Sequence, residues 1–352
     1  MHSLRFPYFP LPKITNVPVK SRPSSPFSVV PKLHKLNLSS ANPHAAAEDH
    51  CTQVKSWELV DREEKGDHQV AEELAAAGLR AELMPKHVAV IMDGNRRWAL
   101  ERGLSVEDGH RGGGRVMKQI VEICLKLGVK VLTFFAFSTE NWIRPAVSGL
   151  LFFVFAALPF NFSISHLCLS IGRLIYGPCM QEEVAFLMSL FEEVINSDLE
   201  DFKRLGVRMS VIGNKSELPM SLQGLIRLAE ESTKANSKLQ LVGAMNYSGR
   251  YDITQACKSI AKKVKDGLLP LQEIDEALFQ QELETKCIEF PQPDLLIRTS
   301  GELRVSNFML WQMAYTELVF VEKLYPDFGE ADFIAAVSSF QKRGRRRGGN
   351  KY

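Results

Sequence analysis

The sequence predicts an α/β fold: a single domain with a mostly parallel six-stranded sheet covered by helices. Three observations predict it. From Pro85 onward, apolar runs of strand length alternate with helical patterns. Those runs are near-continuous, as in strands buried on both faces. The stretches between them carry apolar residues at three- and four-residue spacing, so each has one face to bury. Composition suits such a domain: of 352 residues 45% are hydrophobic and 24% charged, with a net charge of +2. So small a charge gives no strong field for a polyanion, and no nucleic-acid partner is expected. Cys51, Cys124, Cys168, Cys179, Cys257 and Cys287 form no Cys-x-x-Cys pair and no zinc-spaced cluster. They read as reduced structural thiols of a non-secreted protein.

In chain order, residues 1–47 contain no Asp or Glu, seven serines, many prolines, and Arg5, Lys13, Lys20, Arg22, Lys32 and Lys35. That composition fits an organellar transit peptide, and the serine content favours a chloroplast address. Residues 48–84 turn acidic and helix-prone, a linker with a leading helix. The strand candidates are His87–Met92, Lys130–Phe137, Val207–Gly213, Leu239–Asn246, Asp294–Arg298 and Glu317–Val321. Helical stripes run through Val116, Ile120, Ile123 and Leu127, through Val184, Leu187, Phe191 and Val194, and through Ile253, Cys257, Ile260 and Val264. One segment does not fit. Residues 146–180 hold a single charged residue, Arg173, around the run Leu150–Phe160. Pro159, Asn161, Ser163 and His166 interrupt it, which makes a poor membrane span and leaves a hydrophobic hairpin or a membrane-surface loop.

The chemistry lies at the strand ends. Asp93-Gly94-Asn95-Arg96-Arg97-Trp98 follows the first strand and puts a carboxylate beside two cations. In open α/β sheets that edge binds ligands; a carboxylate there can hold Mg²⁺ and arginines can grip phosphate. Gly109-His110-Arg111-Gly112-Gly113-Gly114-Arg115 opens the next helix, where free N–H groups attract anions, but it is not a Walker-type loop. Ser138-Thr139-Glu140-Asn141-Trp142-Ile143-Arg144-Pro145 ends the second strand, and Asn246-Tyr247-Ser248-Gly249-Arg250 the fourth. Arg298-Thr299-Ser300-Gly301-Glu302-Leu303-Arg304-Val305-Ser306-Asn307 ends the fifth. In a parallel sheet these ends share one edge. Several arginines with few carboxylates point to two diphosphates or one large polyphosphate, and the apolar helices behind them leave room for an apolar ligand tail. A haloacid-dehalogenase-like phosphatase would also place an Asp after its first strand, but it needs a second Asp where this chain has Asn95.

Five blocks in order, His-Val-Ala-Val-Ile-Met-Asp-Gly-Asn-Arg-Arg-Trp, Gly-His-Arg, Phe-Ser-Thr-Glu-Asn-Trp-x-Arg-Pro, Asn-Tyr-Ser-Gly-Arg and Arg-Thr-Ser-Gly-Glu-x-Arg-x-Ser-Asn-Phe-x-Leu-Trp-Gln, resemble the cis-prenyltransferases. The resemblance runs from about Met84 to Gly349, outside 146–180, and with the N-terminal composition looks most like a plant plastid member. It implies a transferase that condenses isopentenyl diphosphate with an allylic prenyl diphosphate, Mg²⁺ as cofactor, and an apolar tunnel for the prenyl chain. It assigns Asp93 to Mg²⁺ and catalysis, with Glu317 as a second metal-associated carboxylate. Gly94, Asn95, Arg97, Trp98 and His110 go to the allylic diphosphate, although Trp98 also reads as packing. Ser138, Glu140, Asn141 and Arg144 line the reacting centre, and Arg298, Arg304 and Ser306 bind isopentenyl diphosphate. Arg346 and Gly348 reach a neighbouring subunit, which implies a homodimer. An accessory subunit and peripheral membrane contact complete the expected partners.

Two departures from the pattern stand out. Val106 occupies a position that is arginine in many members, leaving Arg111 or Arg115 to compensate. The family runs from Arg-Pro directly into a helix resembling Glu182–Phe191, so 146–180 interrupts the domain of residues 85–349 as an insertion. Its composition marks it as a retained intron, a mispredicted exon or a membrane-surface loop. The alternative function is a catalytically impaired or accessory subunit of such an enzyme. Accessory subunits usually lose the Asp and the Arg-Thr-x-Gly-Glu block, and this chain keeps both.

Overall fold

Each expected strand forms close to its apolar run. They are β1 (His87–Ile91), β2 (Val131–Ser138), β3 (Val207–Ile212), β4 (Leu239–Tyr247), β5 (Leu295–Arg298) and β6 (Glu317–Phe320). The computed structural model describes side chains for residues 74–142 and 182–344, and backbone alone for 164–181, 346–347 and 350–351. The sheet order is β3-β4-β2-β1-β5-β6, and every pairing is parallel. All five residues of the central strand β1 are buried, whereas the edge strand β6 is half-buried throughout. The sole polar side chain of β1, His87, is fully buried and satisfied. Its Nδ1 lies 2.7 Å from the Phe290 carbonyl and its Nε2 2.7 Å from the Thr133 hydroxyl. Burial pulls its pKa down to about 3, only partly offset by the Phe290 carbonyl.

The helices are α1 (Asn95–Glu101), α2 (Val106–Leu127), α3 (Ile164–Leu205), α4 (Met220–Ser232), α5 (Gly249–Lys265), α6 (Glu276–Glu282) and α7 (Glu330–Gln341). Ser105 caps α2 in a reciprocal capping box with Asp108, and its stripe Val116, Ile120, Ile123 and Leu127 is buried against the sheet. In α3, Leu187 is buried while Val184, Phe191 and Val194 are only half-covered. In α5 the buried face is Asp252, Ala256 and Ile260, and Cys257 is exposed. The stripe is rotated from the expected one because Tyr247 donates a hydrogen bond to Asp252 at 2.9 Å and draws that carboxylate inward.

Residues 146–180, where they are described, are helical rather than a hairpin. Residues 164–180 are the first turns of α3, which runs unbroken for 42 residues into the helix expected at Glu182. Residues 1–73 and 143–163 lie outside the described residues, and with them the proposed transit peptide, Arg144 and the run Leu150–Phe160. Of the segment 48–84, residues 74–76 are helical and residues 48–73 lie outside the described residues. Among the described residues no helix is long and apolar enough to cross a membrane.

Candidate active site

The chain leaves β1 toward β2 and leaves β5 toward β6, on opposite sides, so a crevice opens between the carboxyl ends of β1 and β5. Asp93 and Arg298 meet across it. Arg298 donates from Nη2 to Asp93 Oδ2 at 2.7 Å, and Arg97 Nη2 stands 3.6 Å from the other carboxylate oxygen. Thr299 locks the two loops together, accepting from the Asp93 N–H at 3.1 Å and donating to the Asp93 carbonyl at 2.7 Å. Arg298 is only 3% exposed; it also donates to Ser306 Oγ at 2.7 Å and to the Arg304 carbonyl. Partial burial pushes the Asp93 pKa up, but the hydrogen bond and charge of Arg298, with Ser300 and Arg97, outweigh it and leave the pKa below the ordinary carboxylate value. Asp93 is thus held as an anion among cations. Gly94 makes the turn into α1 possible. Its φ is +110°, and a Cβ there would stand 2.9 Å from Leu324.

Behind this mouth lies a cavity of about 710 Å³. Its polar rim includes Asp93, Arg96, Arg97, His110, Glu140, Asn141, Arg298, Glu302, Arg304 and Ser306. Deeper, the walls are Met117 of α2, Phe134 of β2, Leu187, Phe191 and Phe202 of α3, Met209 of β3, and Leu241, Gly243 and Met245 of β4. The half-covered face of α3 is therefore a cavity wall. A cationic mouth on a long apolar chamber accepts a molecule with an anionic head and a hydrocarbon tail.

A family model described as "Putative undecaprenyl diphosphate synthase" matches residues 91–156 and 179–348. The chain belongs to the cis-prenyltransferases. It is 51% identical to dehydrodolichyl diphosphate synthase 2 of Arabidopsis thaliana over 280 residues, 80% of this chain and 79% of that one. It is 47% identical to the chloroplastic cis-prenyltransferase 4 of Solanum lycopersicum over 92% of this chain and 93% of that one. Lavandulyl diphosphate synthase from Lavandula x intermedia, solved in complex with dimethylallyl diphosphate, superposes with a TM-score of 0.64. It is 39% identical over 75% of this chain and 98% of that chain. Residues 157–178 fall between the two matched stretches of the family model.

Within this cis-prenyltransferase, the structure gathers Asp93, Gly94, Asn95, Arg97, His110, Ser138, Glu140, Asn141, Arg298, Arg304 and Ser306 around one cavity. Trp98 is not among its walls. Its indole donates to Asp327 at 2.7 Å and stacks under Arg102, so it fastens α1 to the turn at Tyr325–Asp327. Glu317 is the first residue of β6, paired in register with Leu295 at the opposite end of the strands. There Arg343 donates to it at 2.7 Å. Within one chain Glu317 therefore does not join Asp93; Glu302 stands 4.0 Å from Arg97, the arginine that also faces Asp93. The glycine block lies inside the helix, which starts at Val106. A Cβ on Gly109 would stand 2.3 Å from the Asn95 carbonyl and one on Gly113 2.5 Å from the Asn95 side-chain oxygen, so these two glycines seat α2 against α1, while Gly113 and Gly114 line the cavity. Arg346 lies in a two-residue strand of which only the backbone is described, and Gly348 lies outside the described residues.

Sequence reasoning passed over Arg96, Glu183 and Ser300. Arg96 lines the cavity with Nη1 3.5 Å from Glu183, and Glu183 also holds His110 Nε2 at 3.1 Å. Of the expected substitutes for the arginine absent at Val106, Arg111 is turned away: it donates to Glu193 at 2.9 Å and covers the Phe186 ring. Arg96, by contrast, lines the mouth. Ser300 accepts from Arg97 at 2.6 Å in a left-handed conformation, φ +79°. Its place in the Arg-Thr-Ser-Gly-Glu block was visible, but its partner, 203 residues away, was not.

Proposed function

We propose that this enzyme joins isopentenyl diphosphate to an allylic prenyl diphosphate at the mouth formed by Asp93, Arg97, Arg298 and Arg304, and grows the product into the apolar chamber. In the reaction, the allylic C–O bond breaks and diphosphate leaves. The double bond of isopentenyl diphosphate attacks the allylic carbon, and a proton is lost to set a cis double bond. Arg96, Arg97 and His110 bind the leaving diphosphate, where negative charge develops. Arg298, Arg304 and Ser306 hold the isopentenyl diphosphate. Glu140, Asn141 and Ser138 are the polar groups facing the reacting carbons, and the Phe134, Phe191 and Leu187 side chains keep water from the allylic cation.

The donor set at Asp93 fits Mg²⁺. Mg²⁺ is usually held by one or two carboxylates with substrate phosphates completing an octahedron. The described residues offer no cluster of three or more ligating side chains, and Asp93 is an anion facing the cavity. Asp93 would hold the ion, which neutralises phosphate charge. The N-terminal composition and the chloroplastic relative support a plastid location. Arg346 and Gly348 serve a partner copy in a homodimer, and residues 146–180 are an insertion.

The observation that carries this reading is the Asp93–Arg298 pair, 205 residues apart in sequence and 2.7 Å apart in space, over a chamber of apolar walls. The test incubates the full chain, and the chain lacking 146–180, with labelled isopentenyl diphosphate, Mg²⁺ and dimethylallyl, geranyl, farnesyl or geranylgeranyl diphosphate. Label in a prenyl product with at least one primer is expected. No incorporation by either form would leave the accessory-subunit reading.

A further inference from the structure

Asn307 lies outside the cavity wall, yet it ties together three strand ends that the reaction needs. Its amide nitrogen donates to Glu140 Oε1 at 2.5 Å and to Ser248 Oγ at 2.7 Å. Its side-chain oxygen accepts from the Arg250 N–H at 2.9 Å, and its carbonyl from the Gly249 N–H at 2.7 Å. Both amide hydrogens and both oxygens are thereby used. The other Glu140 oxygen accepts from Ser138 Oγ at 2.5 Å, so the carboxylate is clamped from both sides. The backbone is equally constrained. Ser306, Asn307 and Met309 have φ of +46°, +59° and +42°, in a region that non-glycine residues rarely occupy. Ser306 immediately before it accepts from Arg298, and Phe308 immediately after it stacks on Phe135 of β2 at 4.5 Å between ring centroids.

We propose that Asn307 is a positioning residue: it holds the Glu140 carboxylate toward the reacting carbons and fixes that carboxylate relative to Arg298 and Ser306. The proposal rests on the placement of Glu140 at the reacting centre given above. Asparagine suits the position twice over. It tolerates the left-handed conformation, and it presents two donors to Glu140 and Ser248 while accepting from Arg250. The strained stretch lets one residue serve the isopentenyl diphosphate side through its backbone and the Glu140 side through its amide.

The experiment compares wild type, Asn307→Asp, Glu140→Gln and the double variant in steady-state assays with both diphosphates. Asn307→Asp keeps the acceptor for Arg250 and the tolerance for φ +59° but faces Glu140 with a second carboxylate. The expected result is a fall in kcat of about a hundredfold, the scale of an ångström of misplacement, with both KM values within about threefold. In Asn307→Asp/Glu140→Gln the donor and acceptor are exchanged, so the double variant is expected to run no slower than Glu140→Gln alone. Losses that multiply across the two sites would make Asn307 a cap for α5 and overturn the proposal. Glu140→Gln at the wild-type rate would instead remove the role of Glu140, and the proposal with it. Asn307→Gly, which also permits the left-handed conformation, is expected to show the same drop in kcat. An unchanged kcat in both Asn307 variants overturns the proposal as well.

Discussion

The mouth and the floor of the cavity are built by opposite means. At the mouth, side chains about two hundred residues apart meet within hydrogen-bond distance, as Asp93 does with Arg298 and Arg97 with Ser300. The floor consists of ordinary apolar strand and helix residues that the sheet and its covering helices bring to one wall. The mouth therefore has narrow tolerances: each charge is balanced by a particular partner, and a lost partner leaves a half-buried ion. The floor tolerates changes of shape, because apolar contacts are non-directional. On the reading proposed above, chemistry belongs to the mouth and the growing chain to the floor.

The largest test of that contrast is Asp93→Ala. Removing the carboxylate is expected to lower kcat/KM by about a thousandfold or more, with circular dichroism unchanged. Retained turnover would mean that the mouth does not depend on this anion. Next in size is a paired test on the rim. Arg96→Ala should raise the KM for the allylic substrate about tenfold, the worth of one charge-assisted hydrogen bond, while Arg111→Ala should leave it nearly unchanged. The reverse result would return Arg111 to the mouth.

The floor is probed at Gly243. This glycine interrupts the interior of β4 and faces the cavity, yet the atom nearest to a Cβ would be the flexible end of Met245 at 3.4 Å. The fold does not require a glycine there, so its smallness serves the chamber. Gly243→Val should shift the product to shorter chains, while the first condensation stays within about threefold, since apolar changes of one or two methyl groups cost little. Chromatography of the dephosphorylated products reads this directly, and an unchanged length distribution would place the end of the chain elsewhere.

The last effect, one on stability rather than turnover, lies in neither region. His87 is buried neutral with its pKa held near 3. An unfolded histidine takes up a proton near pH 6.5 that the folded one refuses, so below that pH the unfolded state binds more protons. Stability is fully present above pH 6.5 and falls as the pH drops from 6.5 toward 3, by up to about 1.4 kcal/mol per pH unit from this group. Urea unfolding at pH 7 and pH 5 should show the loss, and His87→Leu should reduce the pH dependence while lowering stability at both values.

Most of the architecture was legible in the sequence because its cause is local. A strand buried on both faces must be apolar along its length, so β1 to β6 could be marked with ends off by a residue or two. The rim residues were legible as types, because arginines can grip phosphate oxygens whatever the fold. Where the reading failed, a specific side-chain or backbone partner in the folded chain decided the outcome. Tyr247 turned Asp252 inward and rotated the buried face of α5. Asp327 and Arg102 claimed Trp98, and Arg343 claimed Glu317 at the wrong end of its strand. Asn95 fixed Gly109 and Gly113 of α2 as packing residues.

The sequence by itself determined the parallel α/β fold, the apolar chamber wall and the identity of the groups at the strand ends, since periodicity and residue chemistry are properties of short stretches. Only the tertiary structure decided which of those groups meet. Strand order brings the ends of β1 and β5 together and carries the start of β6 to the far edge. Asp93 is thereby given Arg298 and Arg97 as partners, while Glu317 stays at the opposite end of the strands. Hydrogen bonds and ion pairs act over a few ångströms, so their partners are set by how the chain crosses over.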